Sequence, residues 1–148
     1  MSLQIFNSLS RKKEEFKPLQ EGEVRMYTCG PTVYNYAHIG NLFAYLVADT
    51  WYRWLRYGEN YEVKWVMNIT DVDDKTIKGS QAQFSDLDPK TALREFTSIY
   101  LEEFKKDLNL LNIDLSHLSA QPRVTDYIEA QMVLVQKIFE RGFAYISQ

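Results

Sequence analysis

The run Val24-Arg25-Met26-Tyr27-Thr28 is rich in β-forming residues and is cut off abruptly by Cys29-Gly30-Pro31. A long helical pattern follows from His38 to about Tyr57, in which Phe43, Val47, Trp51 and Leu55 recur every four residues and Leu42 and Leu46 widen the stripe. Gly58 stands where a helix C-cap is expected. Tyr61-Glu62-Val63-Lys64-Trp65-Val66-Met67 then alternates large apolar and polar residues, as a strand does. Strand, long helix and strand make a βαβ unit with two parallel strands, so the chain is confined to an α/β fold whose helix covers the sheet. In open α/β sheets ligands bind at the carboxyl ends of the strands, which here fall at Cys29 and Asn68.

The flanking segments add elements to this unit. Residues 4–9 suit a short strand or an extended arm, and residues 10–22 read as loop. Asp88 can cap a helix that has Pro89 at its first position, with Ala92, Phe96, Tyr100, Phe104, Leu108 and Leu111 along one face. A further helix is expected from Pro122-Arg123, with Val124, Ile128, Met132, Val135 and Phe139 inward and Gly142 as its stop. Phe143-Ala144-Tyr145-Ile146 would begin another strand.

Composition excludes several classes. With 148 residues and 45% hydrophobic content the chain has enough apolar surface for one core. No stretch approaches the roughly 18 apolar residues of a membrane helix, and no apolar run follows Arg11-Lys12-Lys13 as a secretory leader would require. A single cysteine forms no internal disulfide, which points to a cytoplasmic protein. The net charge of −3, with basic residues scattered among acids, argues against a free-standing nucleic-acid binder.

Three clusters could carry chemistry. Cys29 is either a small buried hydrophobe or a thiol at a ligand crevice; by itself it makes no zinc site, which needs three or four protein ligands. His38, Gly40 and Asn41 begin a helix, where unsatisfied N–H groups and the helix dipole favour anions; His38 either simply starts the helix or adds a donor for a phosphate. Asn68-Ile69-Thr70-Asp71-Val72-Asp73-Asp74-Lys75 follows the second strand. Its carboxylates could bind a divalent cation, but the EF-hand pattern is absent; Thr70 and Asp71 could cap the next helix, and capping with dipole complementarity is the expected role of Asp73 and Asp74. Cys29, His38 and Thr70 should line one pocket.

The segments Tyr27 to Tyr34, His38-Ile39-Gly40-Asn41, Asn68 to Lys75 and Pro122 to Ile128 together resemble the N-terminal half of the cysteinyl-tRNA synthetases, class I enzymes. The resemblance implies a Rossmann-like nucleotide-binding catalytic domain with parallel strands, its first half in residues 1–118, and a connective insertion entered at 119–148. It implies activation of L-cysteine by ATP with magnesium and transfer to the cysteine tRNA. It assigns His38 and Asn41 to catalysis, Pro31, Thr32, His38, Gly40 and Asn41 to ATP, and Cys29, Gly30 and Thr70 to cysteine. Cys29 would be one of about four ligands of a zinc that prefers a thiolate to a hydroxyl. The chain departs from the family at Asn41, where the signature ends in histidine, and at Phe43, where a basic residue is frequent. The family's other zinc ligands and its KMSKS loop have no counterpart here, so the resemblance implies part of a longer enzyme, inactive by itself and self-associating through an exposed sheet edge. A mycothiol cysteine ligase relative and a non-catalytic nucleotide-binding paralogue are the alternatives.

Overall fold

The computed structural model describes residues 3–147 and shows an α/β arrangement built on a three-stranded parallel sheet. β1 (Gln4–Asn7) and β2 (Lys12–Glu15) form a separate antiparallel pair, from Gln4 opposite Glu15 to Asn7 opposite Lys12. The expected loop at 10–22 thus contains a strand. Lys12-Lys13-Glu14-Glu15 is polar and exposed throughout, so its sequence shows no alternation, and pairing with β1 alone defines it. Arg11, at φ 57°, makes the left-handed turn between the two.

β3 (Glu23–Thr28) runs parallel to β4 (Glu62–Met67) in unbroken register from Glu23 opposite Glu62 to Thr28 opposite Met67. On the other side β4 pairs in parallel with a short strand the sequence did not reveal, β5 (Leu118–Ala120). β4 is therefore central, and Val63, Trp65 and Met67 on one face are buried while Glu62 and Lys64 on the other are exposed.

α1 (Ile39–Arg53) crosses from β3 to β4 and continues as a single π-helical turn at Trp54–Gly58. The buried face is only partly the expected one. Leu55 is buried and Leu42 packs on the core as expected, but Phe43, Val47 and Trp51 are exposed, and Tyr45, Ala48, Asp49 and Tyr52 face inward instead. The true stripe has helical spacing but includes two phenols and a carboxylate, which disguised it. Tyr52 stacks between Trp65 and His117, with ring centroids at 5.7 and 4.5 Å. Arg53 Nε donates to the buried Asp49 Oδ2 at 2.6 Å, which is why a carboxylate is tolerated there. Gly58 lies inside the π turn, and the turn into β4 is made by Asn60 at φ 60°.

α2 (Asp74–Gln83) and α3 (Pro89–Leu110) follow. Asp88 caps α3 through the backbone N–H groups of Lys90 and Thr91, and Ala92, Phe96, Phe104 and Leu108 are buried as expected from their spacing. The two helices approach closely at Gly79, where a Cβ would stand 2.4 Å from Phe96 Cζ. α4 (Ile128–Glu140) is entered through a short 3₁₀ turn at Val124–Tyr127. Its expected inward residues Ile128, Met132, Val135 and Phe139 are exposed, because among the described residues nothing packs over them. Gly142, at φ +76°, ends it, and residues 143–147 form no strand.

Two consequences can be measured. Trp65 is 1% exposed at the centre of the sheet; Trp65→Ala should cost about 3–5 kcal/mol in urea unfolding, from lost burial plus the cavity left behind. The buried Glu23 carboxylate receives Lys64 Nζ and, at 2.8 Å, Arg25 Nε. Lys64 first and then Arg25 hold its pKa below the ordinary 4.5. A carboxyl lowered in the folded state contributes stability above its unfolded pKa and loses it as pH falls. Stability should therefore drop on acidification through that value, and drop less in Glu23→Gln.

Candidate active site

The parallel register ends with Thr28 beside Met67, so the loops that leave β3 and β4 start as neighbours. They are joined by backbone. Thr70 N donates to Pro31 O at 2.9 Å and Val33 N donates to Thr70 O at 3.1 Å, continuing the parallel ladder past the strand ends as a bridge between Thr32 and Thr70. Asn68 ties them by side chain. Its Oδ1 accepts from Gly30 N at 2.9 Å and from Tyr27 Oη at 2.8 Å, and its Nδ2 donates to Thr70 Oγ1 at 3.1 Å. Gly30 is required here: a Cβ would stand 1.5 Å from the carbonyl oxygen of Asn68.

The loop then returns to the start of α1, where His38 is the N-cap. Its Nδ1 accepts from the backbone N–H groups of Gly40 at 3.1 Å and Asn41 at 3.3 Å. Asn41 Oδ1 in turn accepts from His38 N at 3.1 Å, completing a capping box with histidine in the place usually taken by serine or threonine. Two N–H groups aimed at Nδ1 leave the neutral ring's proton on Nε2. Nε2 of His38 and Nδ2 of Asn41 have no hydrogen-bond partner among the described residues, so both donors are available to a ligand. Gly40 packs on the same ring; a Cβ there would meet only His38, at 3.0 Å.

A cavity of about 380 Å³ opens between this cap and the returning loop. Residues 30–38 with Asn41 and Tyr45 form one wall, and Lys75, Tyr100 and Phe104 from α2 and α3 form the other. Gly30, Pro31, Thr32, His38 and Asn41 meet on this wall, whereas of Cys29, His38 and Thr70, expected to line one pocket, only His38 does. Gly40 is not on the wall. Cys29 and Thr70 are not on it either: Thr70 supports the cavity through its backbone, and Cys29 is exposed, with Sγ 3.8 Å from Gly30 O. Burial pushes the Tyr45 phenol up to about 12, and the charge of Cys29 adds to the rise.

The sequence reading missed two participants. Lys75, read as the end of an acidic run, is the only lysine or arginine among the described residues on the cavity wall, with Nζ 3.2 Å from Tyr34 Oη and 4.5 Å from its ring centroid. Its position in the first turn of a helix starting at a strand's carboxyl end was the available signal. Asn68, read only as part of a motif, is the link between the two loops.

Asp73 caps α2 as expected, while Thr70 and Asp71 do not: Asp73 accepts from Thr76 N at 2.8 Å and Thr76 Oγ1 accepts from Asp73 N at 2.7 Å. Asp71 is buried and accepts from Thr125 N at 3.0 Å and Thr125 Oγ1 at 2.6 Å, with Arg123 Nε at 3.4 Å. Ile69 N donates to Pro122 O at 2.8 Å and Val124 N to Ile69 O at 3.0 Å, so the segment before α4 is fastened to the loop after β4. Among the described residues no three His, Cys, Asp or Glu side chains are grouped to hold a metal ion, and Cys29 stands alone.

Gly30 and Gly40 differ in a way that can be tested. Gly30→Ala must displace the backbone of Asn68 and should cost about 3 kcal/mol in urea unfolding. Gly40→Ala needs only a small shift of an exposed imidazole, and should lower stability by less than about 1 kcal/mol.

The family described as tRNA synthetases class I (C) catalytic domain matches residues 15–148. A cysteine–tRNA ligase of Methanosarcina mazei is 51% identical over 143 residues, which are 97% of this chain and 28% of that protein. Those of Listeria welshimeri and Thermococcus kodakarensis are 44% and 43% identical over 99% and 98% of this chain and 29% of their own length. The chain therefore spans less than a third of the relatives it matches. A strand-end cavity with a histidine-capped helix and a family match over nine-tenths of its length place the chain among the class I (C) tRNA synthetase catalytic domains.

Proposed function

We propose that the chain forms the part of a cysteine–tRNA ligase that holds ATP and the amino acid during adenylate formation. In that reaction a carboxylate oxygen of cysteine attacks the α-phosphorus of ATP, the bond from that phosphorus to the bridging oxygen of the β-phosphate breaks, and pyrophosphate leaves. The cysteinyl group then passes to a terminal ribose hydroxyl of the tRNA, releasing AMP.

The observation that carries this reading is the pair of free donors, His38 Nε2 and Asn41 Nδ2, at the mouth of a cavity whose other wall bears Lys75. Negative charge on the phosphate oxygens rises as the bond to pyrophosphate breaks, and donors already aimed by the capping box need no reorganisation to meet it. Asn41 supplies this donor where the family signature has histidine. Lys75 provides a positive charge at a site where Phe43, exposed on α1, cannot. Pro31 and Thr32 line the adenosine side, Gly40 keeps the helix start open, and Gly30 and Thr70 meet the amino acid at the strand ends.

The residues described do not make a zinc site, since Cys29 has no ligating neighbours among them. No step is derived through a metal. Cys29 is proposed as one ligand of a site whose other ligands lie outside these residues, and the cytoplasm as the location; no helix among the described residues is long and apolar enough to cross a membrane.

The test is a hybrid in which this sequence replaces the aligned stretch of the Methanosarcina mazei ligase. The hybrid should catalyse ATP–pyrophosphate exchange that depends on cysteine and is not supported by serine. His38→Ala in the hybrid should lower exchange by about 100-fold or more, a loss larger than the roughly 1 kcal/mol of stability that removing the N-cap costs. Exchange that ignores cysteine, or that survives His38→Ala, overturns the proposal.

A further inference from the structure

The geometry points to Asn68 as a positioning residue of the amino-acid site, one that sets the hydrogen-bonding sense of Thr70; this rests on the ligase reading above. Gly30 N–H can only donate, so the side-chain atom 2.9 Å from it must be the amide oxygen of Asn68. The other terminal atom is then the NH₂ group, and it lies 3.1 Å from Thr70 Oγ1. Thr70 is thereby held as an acceptor towards Asn68. Its hydroxyl proton has no acceptor among the described residues, so it is left for an acceptor on the ligand.

One amide thus does two things at once. Its oxygen fixes the peptide of Gly30, next to Cys29, and its nitrogen makes the Thr70 hydroxyl its acceptor, so that the hydroxyl proton is not spent on Asn68. Residues 38 and 2 positions away in sequence are brought under one side chain. An aspartate at this position would keep the acceptor for Gly30 N and Tyr27 Oη but could not donate. Thr70 would then give its proton to the carboxylate and lose it for the ligand.

Asn68→Asp in the active hybrid separates this role from a structural one. The KM for cysteine should rise about tenfold or more, the change expected from losing one hydrogen bond to a ligand. The KM for ATP should stay within about twofold, because the His38 cap is untouched. Thr70→Val, which removes only the hydroxyl, should raise the cysteine KM by a similar factor. On the Thr70→Val background Asn68→Asp should then add nothing. If Asn68→Asp proves too unstable to assay, Thr70→Val decides alone: a cysteine KM unchanged from the parent hybrid overturns the proposal. So does an Asn68→Asp enzyme with unchanged cysteine KM, one in which both KM values rise together, or one whose loss adds fully to that of Thr70→Val. An unsubstituted hybrid without cysteine-dependent exchange overturns the ligase reading and this proposal with it.

Discussion

The parallel pairing of β3 with β4 is the constraint on which the rest of the structure depends. Because Thr28 lies opposite Met67, two loops separated by a whole helix in sequence leave the sheet side by side. A parallel pair cannot be closed by a tight turn, so the crossover helix α1 is obligatory, and its N-terminus is delivered to the same edge as the strand ends. The candidate site is made of those three termini. An antiparallel pairing of the same strands would have put Cys29 and Asn68 at opposite ends of the sheet.

Pairing alone would leave the loops free, and three polar contacts hold them. The ladder extends beyond the strands through Thr32 and Thr70. Asn68 adds side-chain bonds across the gap, in a place where Gly30 allows no Cβ. Asp71, almost fully buried, is satisfied by Thr125 and neutralised by Arg123, which also reaches Ser98 and Thr97 of α3. A buried carboxylate is costly unless paired and hydrogen-bonded, so its presence ties the loop after β4, the segment before α4 and the middle of α3 into one arrangement. The cavity opens on this support rather than on mobile loops.

How much of this was legible in the sequence can be judged element by element. β3, β4, α1 and α3 were legible because each carries a periodic pattern or a cap, as Asp88 and Pro89 show for α3. Which face of α1 is buried was not. Tyr45, Asp49 and Tyr52 read as polar, and only their partners, Phe104, Arg53 and Trp65, make them core residues. β2 and β5 were invisible because a short polar strand is defined by its neighbour rather than by its own residues. α4 shows the converse, an apolar stripe of helical period that finds nothing to cover it among the described residues.

The sequence by itself determined the βαβ unit, the strand ends at Cys29 and Asn68, the helix start at His38 and the family signature, since these rest on local propensity, turn chemistry and residue identity. Tertiary structure alone decided that His38 turns its Nδ1 onto the backbone and leaves Nε2 to a ligand, that Asn41 completes the cap, that Lys75 reaches the cavity from another helix, and that Cys29 and Thr70 lie beside the cavity wall rather than on it. The reason is physical. Hydrogen-bond direction and the meeting of side chains dozens of residues apart depend on the register of a parallel sheet and on how helices cross it, and neither is written in any one segment.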